Sequence, residues 1–276
     1  MKFLLKSLGI ATLVWLVIVP SYSEPLILQS AKNVYGEKSG EIGIDVNYSY
    51  DEWTEPVTNT AFSRKEAIIG LQSKYGISDD FELSLFVPYL SWKQKGFTDT
   101  ENNGLGVIIV AEKYNFYNTE NSTWTNAFGI NLELPTGDPK KELGRGLNID
   151  ITAASGMKLW VFDINVNVGY KVTFQYTNKN FVVIDTGDIL EYGLAIEYPM
   201  NDRITFIGEA IGNTFGDYTA DGNAVAGTGG TSIDVVPGLR VNLKNMKLKA
   251  GVAFSVGGIA SRPYMWRLVL GQSFLF

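Results

Sequence analysis

The fold is decided by residues 264–276, which read Tyr-Met-Trp-Arg-Leu-Val-Leu-Gly-Gln-Ser-Phe-Leu-Phe. One side of this period-two register carries large apolar side chains, namely Tyr264, Trp266, Leu268, Leu270, Phe274 and Phe276. The other side carries Met265, Arg267, Val269, Gly271 and Ser273. A barrel strand in lipid needs an apolar outer side, and aromatic residues are enriched where the membrane meets water. The stretch therefore predicts the last strand of a transmembrane barrel.

The same stretch contains a candidate delivery signal. Gly271, Phe274 and Phe276 resemble the carboxy-terminal signal by which bacterial outer-membrane barrels reach their assembly machinery. The resemblance implies that these three residues form an assembly signal and that the barrel-assembly machinery is a partner. We also expect outer-membrane lipid and lipopolysaccharide around the protein.

Composition favours a barrel over a bundle of membrane helices. Beyond the amino-terminal region, no segment of the 276 residues approaches the roughly 20 apolar residues that a spanning helix needs. The mean hydropathy of +0.03 fits strands that alternate apolar and polar residues. Gly 29, Tyr 14, Phe 15 and Trp 6 against Pro 9 are typical of a β-rich chain with aromatic belts.

The chain contains neither cysteine nor histidine. Without cysteine there are no disulfides, thiolate metal sites, cysteine nucleophiles or lipid anchor on a cysteine. Without histidine the chain lacks the usual general base and the commonest metal ligand. We therefore expect no metal site and no cofactor. The net charge of −6 gives no indication of a nucleic-acid partner.

The amino terminus reads as a secretory signal peptide. Lys2 and Lys6 precede an apolar run from Leu8 to Val19, and Ser21-Tyr22-Ser23 offers small residues before a cut. We predict cleavage after residue 23, so that 1–23 is the signal peptide. A single membrane anchor is the alternative, but the apolar run is short for one. Residues 24–39 are predicted to be a periplasmic segment, either a tail or a plug that enters the barrel.

Alternation like that of the final stretch recurs along residues 40–276. In the first repeat Ile42, Ile44 and Val46 alternate with Asp45 and Asn47. Counting such segments predicts about twelve antiparallel strands in an all-β, up-and-down transmembrane barrel. The predicted strands run about ten to thirteen residues, whereas strands in soluble proteins are usually nearer five or six.

The connections between these strands alternate between long and short until the last hairpin. Segments such as Lys93 to Asn103 and Pro135 to Gly146 are long, whereas Ser78 to Asp80 is a tight turn. Outer-membrane barrels have long loops outside and short turns in the periplasm, so both termini are predicted to be periplasmic. A secreted β-sandwich with the aromatics in its core is the alternative. It explains neither the strand length nor the order of the connections.

Several short motifs resemble one known family. They are Gly104-Leu105-Gly106, Lys113-Tyr114-Asn115-Phe116, Leu134-Pro135-Thr136-Gly137-Asp138, Gly169-Tyr170 and Pro237-Gly238-Leu239-Arg240. The chain resembles the outer-membrane family labelled "MetA-pathway of phenol degradation" from about residue 40 onward. The resemblance implies a Gram-negative outer-membrane barrel that takes up aromatic compounds. Val107 departs from the family, which often has an acidic residue there.

Charged residues on the polar register are the candidate functional residues. If the apolar register faces lipid, the lumen-lining candidates are Asp45, Glu133, Asp150, Lys171, Glu191, Glu209, Asp234, Arg240 and Arg267. The two signs nearly balance, which predicts ion pairs rather than a ring that selects one sign of ion. We expect acidic residues toward the outside and basic residues toward the periplasm.

Two functions fit this lumen. The barrel is a narrow channel for small solutes, with aromatic or hydrophobic compounds as candidates, or the ion pairs lock and it is a closed structural or adhesive barrel. An enzyme is not expected. Glu133 and Asp150 could in principle share acid–base chemistry, but paired carboxylates beside a loop are ordinary. The resemblance favours transport.

The delivery signal makes a prediction about assembly. Deleting Phe276 is expected to lower the amount of barrel in the outer membrane, because the terminal aromatic is part of the signal. Heat-modifiable migration on gels measures the folded fraction. Wild-type levels of heat-modifiable protein in the deletion variant would show that the residue is not a signal.

Overall fold

The computed structural model describes residues 37–55, 60–118, 123–178, 180–225, 228–258 and 265–276. The predicted signal peptide and nearly all of the predicted segment 24–39 lie outside these residues, as does Tyr264 of the final stretch. No helix in the described ranges is long and apolar enough to span a membrane.

The chain forms a single large antiparallel sheet. Its strands are β1 (Gly40–Glu55), β2 (Thr60–Gly76), β3 (Phe81–Lys95), β4 (Thr100–Leu105 continuing as Ile108–Asn118), β5 (Trp124–Leu134), β6 (Asn148–Leu159), β7 (Phe162–Thr173), β8 (Ile189–Pro199), β9 (Ile204–Phe215), β10 (Gly230–Leu243), β11 (Met246–Gly258) and β12 (Trp266–Leu275). The sheet has 13 segments, but the two parts of β4 both pair with β3 and succeed one another. The predicted count of twelve is therefore confirmed.

The sheet closes on itself. Each strand pairs with its neighbours in sequence, and β1 pairs with β12, where Ile42 lies opposite Phe274. The backbone N–H of Gly40 donates to the carbonyl of Phe276 at 3.0 Å, and the N–H of Phe276 donates to the carbonyl of Gly40 at 3.0 Å. The predicted closed, up-and-down barrel is confirmed.

Alternation along each strand produces an exposed outer face and a buried inner face. On β1, Ile44 is 53% exposed whereas Asn47 is 6% exposed, and on β7, Val168 is 52% exposed whereas Asn167 is 5% exposed. A soluble protein would bury the apolar member of such pairs. The inverted pattern is that of a barrel whose outer face contacts lipid.

The two ends of the barrel differ. At the short-turn end the strands are joined by tight connections such as Trp160–Val161 and Lys244–Asn245. At the long-loop end the connections include residues 135–147, 174–188 and 216–229. One predicted long loop is wrong: β3 continues to Lys95, and Thr100–Leu105 pairs back against it, so Lys93 to Asn103 is mostly a hairpin. The strands of this hairpin are mostly polar, so the alternation of apolar residues did not reveal them.

The two longest loops hold each other at the long-loop end. They contribute a small sheet of Tyr176–Thr177, Val183–Asp185, Thr219–Ala220 and Asn223–Ala224. Ile184 of one loop pairs with Ala220 of the other, and Ile184 and Tyr218 are buried beneath it. Burial raises the pKa of Tyr218 to about 12, so this phenol stays neutral at physiological pH. The two loops are therefore joined by strand pairing at the long-loop end of the barrel.

The register at the closing seam is open to a direct test. In Ile44→Cys/Gln272→Cys, a disulfide is expected because these residues lie opposite each other and opposed Cα atoms are about 4.5–5.5 Å apart. The protein has no other cysteine, so a faster band on a non-reducing gel after heating reports this bond.

The matched control is Ile44→Cys/Leu268→Cys, which places the second thiol roughly 13 Å further along β12. It is expected to remain reduced under the same oxidation. Bond formation in the control but not in the test pair would contradict the register.

Candidate functional site: the inner face of the barrel

A group of charged side chains lies on the inner face near the long-loop end. We call it the Lys171 cluster, and its members are Glu133, Asn148, Asp150, Lys171 and Glu191. Four consecutive strands, β5 to β8, bring these residues together, with Asp150 directly opposite Lys171. The Lys171 ammonium is 2.7 Å from a Glu133 carboxylate oxygen and 3.3 Å from a Glu191 oxygen.

Most of the Lys171 cluster is enclosed by protein, whereas the Glu191 side chain is 15% exposed. Lys171 is 0% exposed and Asp150 is 1% exposed. Asn148 donates to Glu133 at 2.6 Å, and Asn131 donates to Asp150 at 2.7 Å. Buried charges persist when they are paired and their remaining lone pairs accept hydrogen bonds. Three carboxylates face the Lys171 ammonium and the nearby buried guanidinium of Arg145, so negative charge is in slight excess in this group.

A second charged group lies near the short-turn end. We call it the Glu41 cluster, and its members are Glu41, Lys74, Lys247 and Ser273. Lys74 and Lys247 lie 3.5 and 3.3 Å from the Glu41 carboxylate, and the Ser273 hydroxyl donates to it at 3.1 Å. Two ammonium groups against one carboxylate give this end a basic character. It joins strands from both sides of the seam, β1 and β2 with β11 and β12.

The remaining sequence-derived candidates lie on the same inner register. Glu209, Asp234 and Arg267 are buried, and each takes part in further electrostatic or hydrogen-bond contacts. The Arg240 guanidinium donates to the Glu197 carboxylate at 2.7 Å. Asp45 lies beside Gly271, where a Cβ would come within 2.5 Å of the Asp45 carboxylate. The nine candidates are therefore not a single site but a set spread along the interior.

The candidate assembly residues divide between the two faces. Phe274 and Phe276 are exposed on the outer side, while Gly271 sits inside against Asp45. Gly271 thus has a packing role of its own. Met265, which the alternation places with Arg267, is exposed instead because it precedes the first residue of β12.

The inner face also carries an apolar wall, which the pattern of charged residues did not predict. It consists of Ala195, Ile207, Ile211, Val236, Ala253 and Val269, contributed by β8 to β12. The sequence contains one weak sign of this wall. In β9 the outer register has Gly208 and Gly212, whereas the inner register has the larger apolar residues Ile207 and Ile211. Strands β8 to β12 therefore carry apolar side chains on the inner face in addition to the buried charges Glu209, Asp234 and Arg267.

Residues 135–147, which we call the inner loop, turn into the mouth of the barrel. Leu143 of this loop is 3% exposed and packs with Ile68, Leu90 and Trp92 on the inner faces of β2 and β3. The Trp92 indole N–H donates to the carbonyl of Lys141 at 3.2 Å. The inner loop, which connects β5 to β6, therefore reaches across to the inner faces of β2 and β3.

The motifs that suggested a family also build the inner loop. The Thr136 hydroxyl donates to the carbonyl of Gly106 at 2.8 Å and accepts from the N–H of Ile108 at 2.9 Å. The Asp138 carboxylate accepts from the N–H of Lys140 and caps the short helical turn Pro139–Lys141. A Cβ on Gly137 would meet the backbone of Leu143 at 2.2 Å, so only glycine allows the loop to fold back.

The described residues contain no group of three or more side chains placed to hold a metal ion. What the inner face does offer is paired charge at each end, an apolar wall and a loop across the mouth. The closed sheet with an apolar outside and polar inside defines the class, an outer-membrane-type β-barrel. The chain matches the family described as "Putative MetA-pathway of phenol degradation" over residues 29–260, and it belongs to that family.

Solved structures share this fold. An outer membrane channel from Pseudomonas putida F1 aligns with a TM-score of 0.74 at 11% identity, covering 89% of this chain and 98% of that one. The translocator domain of the autotransporter NalP from Neisseria meningitidis aligns with a TM-score of 0.55 at 8% identity, covering 88% and 90%. The transport unit of the autotransporter AIDA-I from Escherichia coli gives 0.53 at 15% identity, covering 96% and 97%. No curated protein sequence matches the chain.

The buried lysine supports a stability prediction. Lys171→Met is expected to lower the free energy of unfolding by about 3–5 kcal/mol, because it leaves buried carboxylates without their counter-charge. Chemical denaturation of the refolded protein, followed by tryptophan fluorescence, measures the change.

The matched control is Lys93→Met, which breaks an ion pair with Glu101 that is more than half exposed. Its effect is expected to stay within about 1 kcal/mol. Equal effects of the two substitutions would show that the Lys171 cluster does not stabilise the barrel.

Proposed function

We propose that the protein is an outer-membrane channel for small solutes. Its long-loop end faces the outside, and both termini are periplasmic. The family membership supports an outer-membrane role, and the similar structure from Pseudomonas putida F1 is an outer membrane channel. Residues 1–23 direct export as a cleaved signal peptide, and 24–39 stay in the periplasm.

The observation that carries this proposal is the charge of the inner face. A barrel that served only as a structural support would be at least as stable with a hydrocarbon interior, since removing two charges from water is costly. This interior instead keeps Lys171 with its carboxylates at one end and Glu41 with its lysines at the other. Because these charges of both signs are buried and paired, they form the wall around the proposed route and do not favour one sign of ion within it. All nine lumen candidates belong to this wall.

Aromatic or hydrophobic compounds are the proposed solutes. The family description refers to phenol degradation, and the interior contains a cluster of apolar side chains around Val236 as well as its charges. The inner loop narrows the route where Leu143 meets Trp92. Solutes therefore pass when that contact opens.

A closed structural or adhesive barrel is the second candidate. If the contact between Leu143 and Trp92 and the ion pairs of the inner face stay in place, the interior remains blocked and the closed barrel is favoured. We propose no enzymatic activity and no cofactor. The partners are outer-membrane lipid, lipopolysaccharide and the barrel-assembly machinery, with no role for nucleic acid.

Swelling of proteoliposomes tests transport. Vesicles that contain the refolded protein are expected to swell in iso-osmotic solutions of small neutral solutes, at a rate that falls as solute size increases. Protein-free vesicles are the control. No swelling above that control, together with no channel events in a planar bilayer, would favour the closed barrel.

A further inference from the structure

Arg64 occupies an unusual position on the inner face of β2. Its guanidinium carbon lies 4.6 Å from the centre of the Trp92 ring, in the geometry of a cation–π contact. Its Nη2 group donates to the Glu66 carboxylate at 3.0 Å, and the side chain is 11% exposed. The Arg64 guanidinium is therefore held rigidly by a ring on one side and a carboxylate on another.

The other terminal nitrogen of Arg64 is not used. Nη1 is shielded from solvent, and it finds no hydrogen-bond partner within the described part of the chain. Leaving a buried donor without an acceptor costs at least as much free energy as a formed hydrogen bond contributes. Because Nη1 has a hydrogen to donate and no acceptor among the described residues, an oxygen atom of a ligand could accept a hydrogen bond from it.

The Trp92 ring that contacts Arg64 belongs to a larger group of apolar side chains. Ile68, Leu90 and Trp92 form the floor, and Leu143 of the inner loop covers them. Trp53 stacks on Phe62 at 5.4 Å between ring centres, and Phe62 makes an edge contact with Phe97. Leu143 is the one member of the Ile68–Leu90–Trp92–Leu143 group that a loop supplies. Its side chain occupies the space that an apolar ligand body would fill.

The charges around Arg64 indicate whether the oxygen atom of the ligand is charged or neutral. Asp51 on β1 lies directly opposite Arg64, and Glu66 is already paired with it, so two carboxylates neighbour one guanidinium. A carboxylate ligand would add a third negative charge and be repelled. A neutral carbonyl or hydroxyl oxygen accepts from Nη1 without that repulsion.

We propose that Arg64, Trp92 and the apolar residues around them form a binding site for a neutral aromatic compound that bears one hydrogen-bond-accepting oxygen. The ring of the ligand takes the place of Leu143 on Trp92, and its oxygen accepts from Arg64 Nη1. The inner loop lifts as the ligand enters. This inference rests on the proposed function only in that solutes reach the site through the barrel.

Two probes that differ by one oxygen test the site. Acetophenone has a ring and a carbonyl, and ethylbenzene has nearly the same shape without the oxygen. Titration calorimetry with the refolded full-length barrel in detergent measures both. Acetophenone is expected to bind about tenfold more tightly, the effect of one hydrogen bond to a charged donor. Equal affinity for the two probes would overturn the proposal.

Paired substitutions assign the preference to Arg64. Arg64→Met/Glu66→Gln removes the donor together with the carboxylate that it pairs with, and it is expected to abolish the preference for acetophenone. Arg240→Met/Glu197→Gln is the matched control, because it removes the comparable pair at 2.7 Å elsewhere on the inner face. The preference is expected to survive there. A preference retained by the first variant, or lost equally in both, would overturn the assignment.

Leu143→Ala tests the competition between ligand and loop. Both probes are expected to bind several-fold more tightly, since the side chain no longer occupies the apolar floor. Unchanged affinities would show that Leu143 does not occupy the ligand's place. Vesicle swelling separates the two proposals: normal swelling with no probe preference overturns the site alone, and a preference without swelling overturns transport alone.

Discussion

Closure of the sheet is the constraint on which the rest of the structure depends. Inside a membrane there is no water to satisfy backbone groups, so a sheet can span it only if its first and last strands pair. The reciprocal hydrogen bonds between Gly40 and Phe276 and the ladder from Ile42 to Tyr50 along β12 meet this requirement. Once the ring is closed, each strand has one side toward lipid and one toward the interior. Every later feature follows from what the chain places on that inner side.

The inner side combines features that would be unstable alone. Lys171 and Glu41 are almost completely shielded from solvent, and each is tolerated because opposite charges and hydrogen-bond donors surround it. The apolar wall around Val236 provides packing on the inner face of β8 to β12. The inner loop packs against a different part of the wall, since its backbone bonds to Trp92 and Leu143 joins the apolar group on β2 and β3. The inner side therefore combines paired charges and apolar packing along the same wall.

Much of the barrel could be predicted because its main signal is local. Alternation at Ile42, Ile44 and Val46 needs no knowledge of other strands, and the seam follows from the apolar register of the last strand. Contacts between distant residues could not be predicted in this way. The bond from Lys171 to Glu133 depends on the registers of two strand pairs, β5 with β6 and β6 with β7, and neither register is visible in composition.

The inner loop shows a second kind of limit. Its residues look like an ordinary polar connection, and only one of them, Leu143, enters the apolar group with Trp92. A single leucine carries no periodic signal. Arg64 was overlooked for a related reason, because its significance comes from an unused nitrogen and a neighbouring ring rather than from its place in a pattern.

The central claim is that the interior is a route for solutes which the inner loop narrows at Leu143. Single-channel recording of wild-type protein and Leu143→Ala in the same bilayer tests it most directly. Leu159→Ala serves as the control, because Leu159 is exposed at the opposite end of β6. If the inner loop narrows the route, Leu143→Ala is expected to show a larger or more often open conductance than wild type and the control. Identical records from all three proteins would contradict it.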